Sequence, residues 1–278
     1  MTVTKLSVQN KLEALELQFD ENRCTLTLQG AHLISFIKSG VEQLWMSPKC
    51  IIETGKPIRG GVPVCWPWFG AHATEANYPA HGFARTALWS VESEESSTDF
   101  TRVVLKLENQ SSNPLFPFDC SVRLQVTLCD SLELSLITGN EGSEVFPLSQ
   151  ALHTYFPISD LNSARIEGLK GCRYADKLLD YAESVESREL VSLEEPTDRV
   201  YFDSSESLKL IDGKTTRTIH KQNSDTTVVW NPGLDTAEKM TDIGSENYRG
   251  FLCIEAANAM SNTRIVEAGE SVVLIQKL

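Results

Sequence analysis

The sequence predicts an all-β fold, a large antiparallel β-sandwich occupying residues 1–278 as a single domain. Apolar and polar residues alternate with period two along much of the chain, the mark of half-buried strands. Amphipathic helices are scarce and no strand–helix–strand repeat appears, which leaves neither a parallel sheet nor a helical bundle as a reading. With 278 residues, 41% of them hydrophobic, one substantial core is within reach.

The first strands are expected through Leu15, Leu17 and Phe19, then Leu26 and Leu28. A further strand is expected over Val103 to Leu107, and the polar run Ser93 to Asp99 reads as a hairpin tip. Val122, Leu124, Val126 and Leu128 alternate, as do Leu132, Leu134 and Leu136, and the Cys129-Asp130-Ser131 tripeptide between them makes a tight connection. The charged stretch from Ala175 to Leu190 is the best helix-like segment, yet it is short of apolar positions and is equally compatible with an extended surface segment. Residues 186–225 read as a long excursion from the sandwich. Strands close the chain at Thr226 to Trp230, Gly250 to Ile254 and Ser271 to Gln276.

Charge and cysteine usage narrow the function. A formal net charge of −13 repels polyanions, so nucleic acid and anionic membrane surfaces are not expected partners. No run of about 18 apolar residues occurs, and the first twenty residues lack the basic-then-apolar order of a secretory signal, so the expected location is the cytoplasm. The seven cysteines are scattered and never spaced as CxxC, which argues for reduced thiols rather than a disulfide framework or a structural zinc site. Nucleotide-binding GxGxxG and GxxxxGK[ST] patterns are missing, as are GxSxG and HExxH.

The segment from Arg59 to Thr86 is the most informative in the chain. It places Gly60, Gly61, Gly70 and Gly82, three prolines, two histidines and two arginines between β-like regions. Proline rigidity and the close approach that glycine allows suit an ordered binding loop, the alternative being a rigid crossover that covers a sheet edge. Arg59 and Arg85 bracket it, and an arginine's planar fork fits a phosphate or a carboxylate, although surface ion pairing is the commoner use. His81 in PAHGFAR precedes a glycine and is a candidate turn cap. Trp66, Trp68 and Phe69 are either a platform for a sugar ring or core.

Two further residues invite a chemical reading. His153 in SQALHTYFPI is either a satisfied core histidine or a proton donor and acceptor aimed at a cleft. Glu255 in FLCIEAANA is a carboxylate in apolar surroundings, and such a group either meets a cation or lines a dry pocket with a raised pKa. Asp198 in EPTDRVYF reads first as a turn-capping aspartate.

Six blocks in order, RGGVPVCWPWFG at 59–70, PAHGFAR at 79–85, LHTYF at 152–156, TDRVYF at 197–202, VVWNPG at 228–233 and CIEAA at 253–257, resemble the aldose 1-epimerase (galactose mutarotase-like) family. The similarity is strongest to its glucose-6-phosphate 1-epimerase, or hexose-6-phosphate mutarotase, branch. That resemblance implies a β-supersandwich and an enzyme interconverting the α and β anomers of a hexose 6-phosphate, with no metal and no organic cofactor. It assigns His153 as general acid, Glu255 as general base, His81 and Asp198 as sugar contacts, and Arg59 and Arg85 as phosphate ligands. Some relatives carry glutamine where this chain has Ala80. The expected partner is a small sugar phosphate and the expected state a monomer; the alternatives are a non-catalytic sugar-phosphate binder and a mutarotase for neutral aldoses. For proton donation at neutral pH, His153 is expected to have a raised pKa beside an ionised Glu255.

Overall fold

The computed structural model describes residues 1–108, 113–193, 196–202 and 204–278. Among these, strands dominate and the single α-helix is the short Gly233–Lys239. Every strand pairing is antiparallel, as the alternating pattern requires. A five-stranded sheet forms first from the N-terminal segments, in chain order from Thr2–Ser7 to Val41–Glu42. A nine-stranded sheet has Ser271–Lys277 near its middle, flanked by Leu132–Asn140 and Thr215–Gln222. An eight-stranded sheet is centred on Thr226–Asn231 and Phe251–Asn258 and ends on the two-residue strand Val64–Cys65. No helix among the described residues is long and apolar enough to cross a membrane.

The core follows from the pleat. Cys120–Leu128 alternates strictly, with Val122, Leu124 and Val126 buried against Leu15, Leu17 and Leu26 of the first sheet. A second cluster packs Leu252 and Ile254 of the eight-stranded sheet against Leu208, Leu210 and Ile219 of the nine-stranded one. Leu252 and Ile254 therefore point inward while Cys253 and Glu255, on the alternate positions, point to the other face. That other face carries the candidate site.

Two sequence expectations change here. Residues 186–225 are not an excursion: they contribute Leu190–Ser192, Ser207–Asp212 and Thr215–Gln222 to the nine-stranded sheet and Thr197–Phe202 to the eight-stranded one. Their polar residues sit on solvent-facing positions, and this diluted the apolar signal. The 175–190 stretch is mostly extended, with Arg173–Asp176 paired to Ala182–Val185 at the sheet edge on either side of the single 3-10 turn Lys177–Leu179. The Ser93 to Asp99 tip is shorter than expected, because Trp89–Ser96 continues as strand and the turn lies just beyond it.

Candidate functional site

All six residues singled out in the sequence line one pocket of about 220 Å3 on the outer face of the eight-stranded sheet. Register explains the convergence. Glu255 is directly opposite Val228, and Trp230, two residues on and so on the same face, is opposite Asp198 on the next strand. His153 follows the strand Gln150–Leu152 and is anchored by its backbone N–H donating to the Pro63 carbonyl, 3.0 Å.

The glycine-rich segment reaches the site because it lies against that same edge. Cys65 and Val64 pair with Ala151 and Leu152, and Tyr155 N–H donates to the Gly61 carbonyl at 2.9 Å. Gly61 has φ 62°, and a Cβ there would stand 2.1 Å from the Leu33 carbonyl oxygen, so only glycine lets the chain pass. Gly82 has φ 69°, and its Cβ would meet the Trp66 oxygen at 1.9 Å. This close approach brings His81 beside Phe69 and His153.

Each polar group then has a definable state. Arg59 Nε donates to Asp242 Oδ2 at 2.9 Å and Nη1 to the Tyr155 hydroxyl at 3.0 Å. Burial opposes its charge, but Tyr155 and Asp242 outweigh burial and raise its pKa. Arg85 Nη2 donates to the carbonyl of Ala80, 2.9 Å. His81 Nδ1 accepts from Gly70 N–H at 3.3 Å while the His81 backbone N–H donates to the Gly70 carbonyl at 2.7 Å. Burial, then the nearby Arg85, Lys177 and Arg59 charges, lower the His81 pKa to about 3. The ring is therefore neutral with its proton on Nε2, a hydrogen-bond donor.

Asp198 Oδ2 pairs with Lys177 at 2.9 Å, and Oδ1 has no hydrogen-bond partner. Burial raises the Asp198 pKa and Lys177 pulls it back. Lys177 also lines the pocket and was not foreseen. It begins the one-turn segment Lys177–Leu179, which Asp176 caps by accepting from Leu178 N–H at 3.0 Å. Nothing in the local sequence distinguishes it from the other charges around it.

At the centre, His153 Nε2 lies 3.3 Å from Glu255 Oε1, a close approach without hydrogen-bond geometry. Glu255 is 1% exposed and both its oxygens lack partners, as does His153 Nδ1. Desolvation raises the Glu255 pKa well above its ordinary value and lowers that of His153 well below its own. The expected raised pKa of His153 is thus corrected: burial, reinforced by the surrounding His81, Arg59 and Arg85, holds it down. Trp66 and Trp68 are also settled, both being core residues, whereas Phe69 and Trp230 supply the pocket's aromatic surface. No group of three or more histidine, cysteine or acidic residues among the described ones is placed to hold a metal ion.

Residues 13–278 match the sequence profile of a family described as aldose 1-epimerase. A protein of Escherichia coli K12 named "Putative glucose-6-phosphate 1-epimerase" is 32% identical over 262 residues, covering 93% of this chain and 87% of the relative. One of the same name from Cenchrus ciliaris is 32% identical over 261 residues, 88% of this chain and 78% of the relative. The crystal structure of a "putative mutarotase (YeaD)" from Salmonella typhimurium superposes with a TM-score of 0.90 at 27% identity, over 99% of this chain and 92% of that one.

Proposed function

The chain belongs to the aldose 1-epimerase family, and from there we propose that it is a hexose-6-phosphate 1-epimerase acting on glucose 6-phosphate by acid/base ring opening and reclosure. The observation that carries this reading is the convergence, in one small pocket, of an unpartnered buried carboxylate and imidazole with two arginines. Buried polar atoms without partners are costly, and sugar hydroxyls satisfy them. The relatives' names point to the same substrate.

In the proposed reaction Glu255 takes the proton from the C1 hydroxyl, the C1–O5 bond breaks, and His153 gives a proton to O5. The product is the open-chain aldehyde with a protonated carboxyl and a neutral imidazole. Rotation about C1–C2 and the reverse proton movements close the ring as the other anomer. Ring opening therefore converts a charged pair into a neutral one. Burial favours the neutral forms of both groups, so desolvation holds down the population of the imidazolium–carboxylate form that starts the step and favours the neutral pair that accompanies the open-chain state. His81 Nε2–H and the free Asp198 Oδ1 are suited to hold sugar hydroxyls, and Arg59 and Arg85 to hold the phosphate. Positioned acid and base groups are each worth about 100-fold to 10000-fold, enough for a reaction that water already performs.

Magnetisation-transfer NMR with glucose 6-phosphate and glucose side by side tests the proposal. Accelerated exchange of the phosphorylated sugar alone is expected. Equal acceleration of both would move the assignment to a broad mutarotase for neutral aldoses, and acceleration of neither to a non-catalytic binder.

A further inference from the structure

A second basic cavity lies elsewhere in the sandwich. The strand Thr215–Gln222 pairs along its length with Ser207–Asp212, but meets Ser271–Lys277 only from His220 to Gln222. Beyond His220 its other edge opens onto a cavity of about 340 Å3 whose lining shares no residue with the acid/base pocket. Phe156 lines it, on the opposite face of its strand from Tyr155, which is buried beside His153.

Cations outnumber acids in this notch. Lys38, Arg217 and Lys277 line it with the carboxyl group of Leu278, whose oxygen accepts from Leu132 N–H at 3.0 Å, and no aspartate or glutamate side chain is among the lining residues. In a chain of net charge −13 such a cluster works against the overall field and needs a local reason. Arg217 is the sharpest feature: its Nε and Nη1 are buried and have no hydrogen-bond partner. Asp212, the acid that acts on it through space, is hydrogen-bonded to Ser159, accepting from its N–H at 2.7 Å and from its hydroxyl at 2.5 Å. Because a guanidinium stays protonated, Arg217 is a half-buried cation whose Nε and Nη1 meet no acceptor, Asp212 acting on it only through space.

We propose that this notch is a second binding site for the phosphate group of a small metabolite, with Arg217 as its fork and Lys38 and Lys277 as flanking point charges. Thr216 and Thr218, also in the lining, present polar groups along the open strand edge. Phe36 and Phe156 supply apolar floor on which the non-ionic part of a ligand rests. The volume exceeds that of the acid/base pocket, so a sugar-sized body fits with the phosphate.

The test is amide NMR on the full chain carrying Arg59→Gln and Arg85→Gln, which removes the competing phosphate ligands proposed above. Inorganic phosphate and glucose 6-phosphate are titrated separately, with chloride at matched ionic strength as control. Saturable shifts at the amides of Thr216, Thr218 and Lys277, absent with chloride, are expected. Adding Arg217→Gln should weaken them about tenfold or more, since hydrogen bonds to charged groups are worth about 1.5–3 kcal/mol. The paired change Lys38→Gln with Lys277→Gln, which leaves the buried arginine in place, should also weaken them. Tighter binding of glucose 6-phosphate would assign a sugar phosphate as the ligand; equal binding would assign the phosphate group alone. Shifts that never saturate, appear equally with chloride, or survive both sets of substitutions would overturn the proposal. Because the site is read out by local amides and not by turnover, this result stands apart from the epimerase assignment.

Discussion

Replacing Glu255 with glutamine is expected to slow anomer exchange and to stabilise the fold, two effects of opposite sign from one atom exchange. The side chain keeps its size, so its place on the strand opposite Val228 is preserved. Loss of a positioned general base costs about 100-fold to 10000-fold in kcat. Stability should move the other way, because both carboxylate oxygens are buried without partners. An unsatisfied buried polar group costs about 1–3 kcal/mol, and removing its ionisation should raise the Tm by a few degrees in a chain of this length. The gain must depend on pH. The folded-state pKa of Glu255 is raised above the ordinary 4.5, so the protonated carboxyl contributes its full stability below 4.5 and loses it as pH rises through the raised value. Wild type and variant should therefore melt together in acid and separate as pH increases, with the variant more stable. Magnetisation transfer with glucose 6-phosphate measures the first effect, and thermal melts across the pH series measure the second. Exchange at the wild-type rate would end the general-base assignment. A variant less stable than wild type at high pH would show that the carboxylate is compensated in the fold and refute the desolvation argument.

Three further outcomes are expected. Arg59→Gln and Arg85→Gln should each raise KM for glucose 6-phosphate by about 10-fold to 100-fold, from charge-assisted bonds of about 1.5–3 kcal/mol, while KM for unphosphorylated glucose stays put; equal effects on both sugars would make the arginines structural. Lys177→Met removes the cation that holds the Asp198 pKa down against burial, so the acid limb of the kcat/KM profile should move to higher pH, and an unmoved limb would exclude Asp198 from substrate binding. Gly82→Ala should destabilise the chain by at least about 2 kcal/mol, since alanine at φ 69° is strained and its Cβ would lie 1.9 Å from the Trp66 oxygen; a urea melt with an unchanged midpoint would contradict that geometry.

The sequence was most legible where chemistry and packing demand the same residue. Strict alternation through Val122 to Leu128 and Leu132 to Leu136 announces a sheet because each side chain must face either core or solvent. Glu255 stood out because a carboxylate among Phe251, Leu252, Cys253 and Ile254 must either meet a cation or line a dry pocket. The 186–225 region was read as an excursion because its strands bear polar residues on their outer positions, so the strand signal there depends on neighbours that local pattern does not contain.

What the sequence by itself determined is the all-β class and the candidacy of His153, Glu255 and two arginines, with acid and base roles implied by family resemblance; the steric need for glycine at Gly61 and Gly82 came from the structure. Only the tertiary structure decided that six residues spread from position 59 to 255 share one pocket, that Lys177 joins them through Asp198, and that His153 is pushed towards its neutral form. The physical reason is range. Strand alternation and turn geometry are set by near neighbours and so are written in the local pattern, whereas the cost of holding a charge depends on how much water the distant parts of the chain exclude.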